Sequence, residues 1–181
     1  MSVTSPLQRL IEQAGPGEPT GQRAPNAGAT IPPALDEMWR GMGLRMWLDG
    51  FLWLTDPATF TGVLEQLGQD AENGAVFART GLGDFLLWQF DMVHLVNMRV
   101  GSIDPIESDP LVALNFHLAD ADFRDRILGH AVYREARRRL PRPGCDECYG
   151  FVPAQRLGGP GTADSLEVVE MIPYLDILAQ I

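Results

Sequence analysis

Cys145 and Cys148 stand in the run Cys145-Asp146-Glu147-Cys148, the C-x-x-C spacing that serves a redox dithiol or one half of a zinc site. A tetrahedral zinc site takes two more ligands, yet the chain has no second C-x-x-C and no H-x-x-x-H, and His94, His117 and His130 are scattered. A thioredoxin-like dithiol follows a strand and opens a helix. Here the motif follows Pro141-Arg142-Pro143-Gly144 and precedes an extended segment, so it reads as an incidental surface pair, with a small Cys-based redox or metal protein as the alternative. Asp84, Asp146 and Glu147 are the right type for an acid/base pair, but nothing in their spacing brings them into range. Nucleophile-elbow, phosphate-loop, dinucleotide and H-E-x-x-H signatures are absent, and Gly81-Leu82-Gly83-Asp84 is too short to cradle a phosphate. Arg137-Arg138-Arg139 falls in the last turn of a helical pattern, where cations complement the helix dipole; it reads as a solvated helix end. No catalytic residue, cofactor or metal is expected, and the protein is read as a non-enzyme.

Charge narrows the partners. The chain carries 24 acidic against 14 basic side chains, all of the latter arginine, for a net charge of -10. DNA binding needs a supply of cations to neutralise phosphates, so a direct nucleic-acid partner is disfavoured. A basic protein is the partner such a field steers inward, although acidity also serves plain solubility. Hydrophobic residues at 45% and charged residues at 21% describe a globular body, large enough at 181 residues to bury a core without disulfide staples. The start Met1-Ser2-Val3-Thr4-Ser5-Pro6 has no basic-then-apolar leader, and no run approaches 18 apolar residues, which implies a cytoplasmic protein with no membrane partner.

The elements that must position these groups are legible from period and punctuation. Residues 1–30 read as a flexible N-terminal arm: Leu7, Leu10 and Ile11 allow one helical turn, but Gly, Pro, Ala and Thr without period follow. Leu35, Met38, Trp39 and Met42 share a helix face that Gly43 can end. Asp49-Gly50 between two apolar runs predicts a two-residue hairpin turn, and Asp56-Pro57 opens a helix on Phe60, Val63, Leu64 and Leu67. Residues 75–79, 85–89 and 92–99 read as strands of a meandering antiparallel sheet, since their connections are too short for parallel crossovers. Gly101 to Asp109 reads as an acidic loop. Asp109-Pro110 again signals a helix, though Val112, Leu114 and Phe116 alternate as a strand would. One helix is then expected from Asp120 or Asp122 to Leu140. Beyond it, Tyr149 and Phe151 share a face of an extended segment, with Gly150, Pro153 and Gly158-Gly159 as punctuation. A strand over Leu166 to Met171 and a helix over Pro173 to Gln180 close the chain. The sum is an α+β fold, a meandering antiparallel sheet packed with helices in a single compact body with a flexible N-terminal arm.

The run Asp146-Glu147-Cys148-Tyr149-Gly150-Phe151-Val152-Pro153, then Leu157-Gly158-Gly159, then Tyr174 to Ile181, resembles the C-terminal domain of bacterial type VI secretion DNase-immunity proteins. Upstream, Asp49 to Pro57 and Gly81 to Trp88 are similar to the GAD-like region that precedes it in that family. The resemblance implies a GAD-like region over 31–101 and an immunity-type domain over 102–181. It implies a protein that binds a cognate DNase toxin and blocks its active site without turnover; an orphan interaction or regulatory module on the same fold is the alternative. Oligomeric state is left open. The family's recurring residues carry over as Gly83, Asp84, Glu147, Tyr149, Gly150, Phe151, Pro153, Gly158 and Gly159, expected to shape the fold. Toxin contact is assigned on charge to Asp104, Glu107, Asp109, Asp120, Asp122 and Asp125.

Overall fold

The structure, a computed structural model, describes residues 6–23, 25 and 31–181. Seven strands run as an uninterrupted antiparallel meander, each beside its sequence neighbour: β1 (Glu18–Pro19), β2 (Arg45–Trp47), β3 (Leu52–Leu54), β4 (Ala75–Thr80), β5 (Phe85–Gln89), β6 (Met92–Asn97) and β7 (Ser102–Glu107). Successive side chains point to opposite faces of a strand, and here both faces are apolar. Leu52, Leu54, Phe77, Leu86, Val93 and Leu95 face one core, which is covered by α1 (Gln8–Ala14), α2 (Pro33–Met42), α4 (Pro110–Val112) with its π-helical continuation Ala113–His117, α5 (Ala121–Arg126) and α6 (His130–Ala136). Val76, Phe85, Leu87, Val96 and Met98 face a second core under α3 (Thr61–Gln66) and α7 (Met171–Ala179). A separate two-stranded ladder, β8 (Glu147–Phe151) with β9 (Leu166–Glu170), closes one end of the body.

The arm expected over residues 1–30 differs in its described part. Leu7 and Leu10 are fully buried in the first core, and Glu18–Pro19 pairs with Arg45 and Met46. A seven-residue helix is marginal alone, and α1 has no side-chain cap of its own. Its first N–H groups are satisfied from far along the chain: Arg9 N and Leu10 N donate to Asn115 Oδ1 at 3.1 and 3.3 Å, while Asn115 Nδ2 donates to the Pro6 carbonyl at 2.7 Å. That capping is invisible to local pattern. The rest of the expected arm, residues 1–5, 24 and 26–30, lies outside the described residues.

Three local readings are also changed by tertiary context. The β2–β3 connection is a four-residue loop, with Leu48, Asp49 and Gly50 all at positive φ (55°, 55° and 86°) and Phe51 N donating to Trp47 O at 3.1 Å. The stretch from Gly101 to Asp109, read as an acidic loop, holds the edge strand Ser102–Glu107, and an edge is the position where a strand tolerates a proline such as Pro105. The expected helix from 120 to 140 is broken at Gly129 (φ 76°), where a Cβ would press Arg99 Nη1 at 2.7 Å and Leu82 Cδ1 at 2.9 Å. Elsewhere the signals match: Asp56 accepts from Ala58 N at 3.0 Å, and Gly43 (φ 70°) ends α2.

Candidate functional site

An open, polar-lined groove of about 480 Å³ lies where β8 begins and α7 begins, lined by Gly144, Cys145, Asp146, Glu147, Glu170, Ile172 and Pro173. Strand register concentrates its charge. Glu147 of β8 stands directly opposite Glu170 of β9, a like-charge cross-strand pair that disfavours the ladder, and exposed Asp146 precedes it. Glu147 Oε2 accepts from Gly144 N at 2.8 Å and Met171 N donates to Asp146 O at 2.8 Å, so backbone holds the rim at both ends. Ile172 and Pro173 supply an apolar wall. The arrangement offers three carboxylates and a little hydrophobic surface to a cationic side chain.

A buried cation stands behind the groove. Arg79 lies beside its cross-strand partner Trp53, with the guanidinium 4.4 Å from the ring centre, and donates to Cys145 O at 2.9 Å and Gly144 O at 3.4 Å. Burial lowers its pKa to about 10, which leaves it charged at neutral pH. This cation, planted in β4, ties the loop that carries Asp146 to the sheet. The flanking thiols are unlike one another. Cys145 is half-buried, whereas Cys148 is fully buried with its pKa pushed by burial up to about 12, far from the depressed value that a reactive thiolate shows. Both are free cysteines. Among the described residues no three His, Cys, Asp or Glu side chains converge as a metal site would require.

Of the nine residues singled out by resemblance, Gly83, Asp84, Tyr149, Gly150 and Phe151 lie where the sheet meets the C-terminal elements. Asp84 is fully buried, 2.6 Å from Arg99 Nε, and Arg99 Nη2 donates onward to Ile127 O at 3.0 Å. Burial pushes the Asp84 carboxyl upward, against the pull of Arg99 and its backbone N–H. Gly83 (φ 89°) leaves room for Leu175 of α7. Tyr149 stacks on Tyr133 with ring centres 4.8 Å apart; its hydroxyl donates to Pro141 O at 2.7 Å and its N–H to Gly81 O at 2.7 Å. Phe151 is buried and its N–H donates to the Tyr174 hydroxyl at 3.0 Å. A Cβ on Gly150 would meet Val169 and Tyr174, and one on Gly159 would strike the Pro153 carbonyl, while Gly158 instead supplies a left-handed φ of 87°. Pro153 follows a cis peptide bond at the exposed end of β8. Glu147 alone of the nine also lines the groove.

The six acids chosen on charge are spread over the rim from β7 to α5 and do not form one site. Asp109 and Asp120 cap helices, accepting from Leu111 N and Val112 N and from Asp122 N and Phe123 N respectively; the cap bond from Phe123 lowers the Asp120 pKa. Asp125 lies 3.3 Å from both His130 Nδ1 and Arg134 Nη2, and Glu107 lies 3.8 Å from His117. Asp104 is exposed on the edge strand, and Asp122 is exposed with only a 4.0 Å approach to Arg126. The groove adds Glu170, which sequence reasoning missed. Its pairing with Glu147 is a matter of register and had no local signal.

The arginine run is also unevenly engaged. Arg137 Nε stands 2.8 Å from Asp49 Oδ2, off the line of its N–H and so as an ion pair, and Arg137 Nη1 donates to Leu140 O at 2.8 Å. Arg139 donates to Leu166 O at 2.7 Å. The Arg138 guanidinium has no hydrogen bond or ion pair among the described residues.

Residues 8–101 match the family described as the GAD-like domain, and residues 114–181 match the family described as T6SS immunity protein Tdi1, C-terminal. The first match begins before residue 31 and takes in α1 and β1. Among solved structures, the crystal structure of Atu4351 from Agrobacterium tumefaciens superposes with a TM-score of 0.69 at 18% identity, covering 96% of this chain and 88% of that one. At that identity the likeness speaks for the fold. No curated protein matches the sequence.

Proposed function

Since the chain belongs to the GAD-like family and carries behind that domain the C-terminal part of a type VI secretion immunity protein, we propose that it binds a cognate DNase toxin in the cytoplasm and covers its active site. The observation that carries this reading is the groove lined by Asp146, Glu147 and Glu170, with Glu147 and Glu170 in cross-strand register. A DNase presents a cationic cleft to its phosphate substrate, and a preorganised anionic surface competes for that cleft. Exposed Asp104 and Asp122 on the rim, with the capping acids Asp109 and Asp120 and the paired acids Glu107 and Asp125, extend the same field around the body and speed encounter more than they tighten it. No chemistry is asked of the protein: inhibition is steric and electrostatic, with no turnover. No helix among the described residues is long and apolar enough to cross a membrane.

The test is co-expression with the product of a neighbouring nuclease-like gene, recovery of the complex, and a DNA-degradation assay. Cleavage should be abolished at one equivalent of inhibitor. Asp146→Asn with Glu170→Gln should weaken inhibition most, while Asp104→Asn with Asp122→Asn should chiefly slow association at low salt. Undiminished cleavage in the presence of excess wild-type protein would sink the proposal.

A further inference from the structure

A second concavity carries the opposite sign. Leu48, Asp49, Tyr133, Arg134, Arg137 and Arg138 line an open pocket of about 270 Å³ between the β2–β3 loop and the end of α6. Arg134 lies in the last turn of α6, and Arg137 and Arg138 follow in the turn that ends it, so the three arginines border one concavity. Against the single carboxylate of Asp49 they give the pocket a surplus of two positive charges, on a chain whose net charge is -10.

Complementing the helix dipole accounts for only part of this. Arg137 is engaged structurally with Asp49 and the Leu140 carbonyl. Arg138 has no such partner among the described residues, and Arg134 meets Asp125 only at 3.3 Å with more than half of its side chain exposed, an ion pair that solvent screens and a competing carboxylate can replace. The pocket itself is firmly built. Tyr133, fully buried, forms its floor and donates its hydroxyl to Asp49 O at 2.9 Å; Leu48, held at a φ of 55° that a leucine rarely adopts, forms its lip.

We propose that this arginine face is a second toxin contact, one that takes aspartate or glutamate side chains of the partner. The inference rests on the toxin-binding reading and says which surface meets the partner's acidic residues. Asp49 already shows such a pairing inside the molecule: its Oδ2 lies 2.8 Å from Arg137 Nε as an ion pair, and its Oδ1 accepts from Nη2 at 3.4 Å. Arg134 and Arg138, both exposed, flank that pair, while half-buried Leu48 supplies apolar surface for the methylenes of an incoming side chain. DNA is a poor occupant, because a duplex-binding surface commonly engages about 6–10 phosphates, and one unpaired guanidinium beside one held weakly by Asp125, on an acidic body, falls well short. A nuclease that uses a divalent cation holds it with carboxylates, so an inhibitor covering its active site faces both signs of charge. The acid-lined groove answers the phosphate-binding cations and the arginine pocket answers the acids.

The experiment measures binding of the neighbouring nuclease to wild type, to Arg138→Glu with Arg134→Gln, and to the groove variant Asp146→Asn with Glu170→Gln, with thermal melting of each. The arginine variant should melt as wild type does and bind at least about tenfold more weakly. The conservative pair Arg138→Lys with Arg134→Lys should recover part of the loss, since charge returns without the planar fork. Wild-type affinity in the arginine variant beside weakened binding by the groove variant overturns the pocket and leaves the toxin reading standing. No binding of the nuclease by wild type removes both. Retention of a duplex oligonucleotide by wild type, lost in the arginine variant, overturns the carboxylate assignment in favour of phosphate.

Discussion

The seam that joins the sheet to the C-terminal elements and the acidic rim from Asp104 to Asp125 are built from similar residue types and use them in opposite ways. At the seam, Asp84 is buried against Arg99 and the Tyr149 hydroxyl is bonded to Pro141, so each polar atom is turned inward onto a named partner. On the rim, Asp104 and Asp122 face water, and even Asp109 and Asp120 accept only local cap bonds. Of the family-like residues, Gly83, Asp84, Tyr149, Gly150 and Phe151 belong to the first region.

The contrast is broken most severely at Asp84. Asp84→Ala leaves the Arg99 guanidinium buried without its counter-charge and should lower stability by about 3–5 kcal/mol in urea unfolding, whereas Asp84→Leu with Arg99→Met should recover most of that loss. A decrease within the scatter of surface variants would mean that the pair does not fasten the seam. Gly150→Ala comes next: its Cβ would stand 2.8 Å from Val169 Cγ2 and 2.9 Å from the Tyr174 ring, for a cost of about 1–3 kcal/mol.

His130 lies between the two regions, its ring 4.4 Å from Phe51 and its Nδ1 3.3 Å from Asp125. Burial first, then the Arg134 charge, lowers its pKa from 6.5 to about 4, with Asp125 opposing and Arg124 adding to the fall. The unfolded chain thus binds a proton that the folded one refuses, so stability is lost as pH falls from 6.5 towards 4. Replacing it, His130→Asn, should flatten the pH dependence of the melting temperature in that window; an unchanged slope would assign the acid sensitivity to other groups. The smallest effect belongs to the rim itself. Asp104→Asn and Asp122→Asn should each shift stability by less than about 0.5 kcal/mol, and a larger shift would show the rim to be structural as well.

Local signals marked the central strands because they rest on short-range patterns: short apolar runs over 85–89 and 92–97, an aspartate cap at Asp56, and glycine ending α2 each act within a few residues. They failed where the deciding partner is remote. Asn115 caps α1 from about a hundred residues away, Arg99 with Leu82 makes Gly129 the break between α5 and α6, and an edge position lets Ser102–Glu107 pair despite Pro105.

The candidate sites divide along the same line. Composition alone established an acidic chain whose basic residues are all arginine, and five ordered stretches pointed to its family. That Glu147 meets Glu170, that Arg79 stands behind them, and that Arg138 has no partner among the described residues while Arg137 and Arg139 are tied down followed only from strand register and helix docking. Charge is a property of residues and can be counted along a chain. A charged surface depends on which side chains find a partner in the folded body, and packing alone makes that choice.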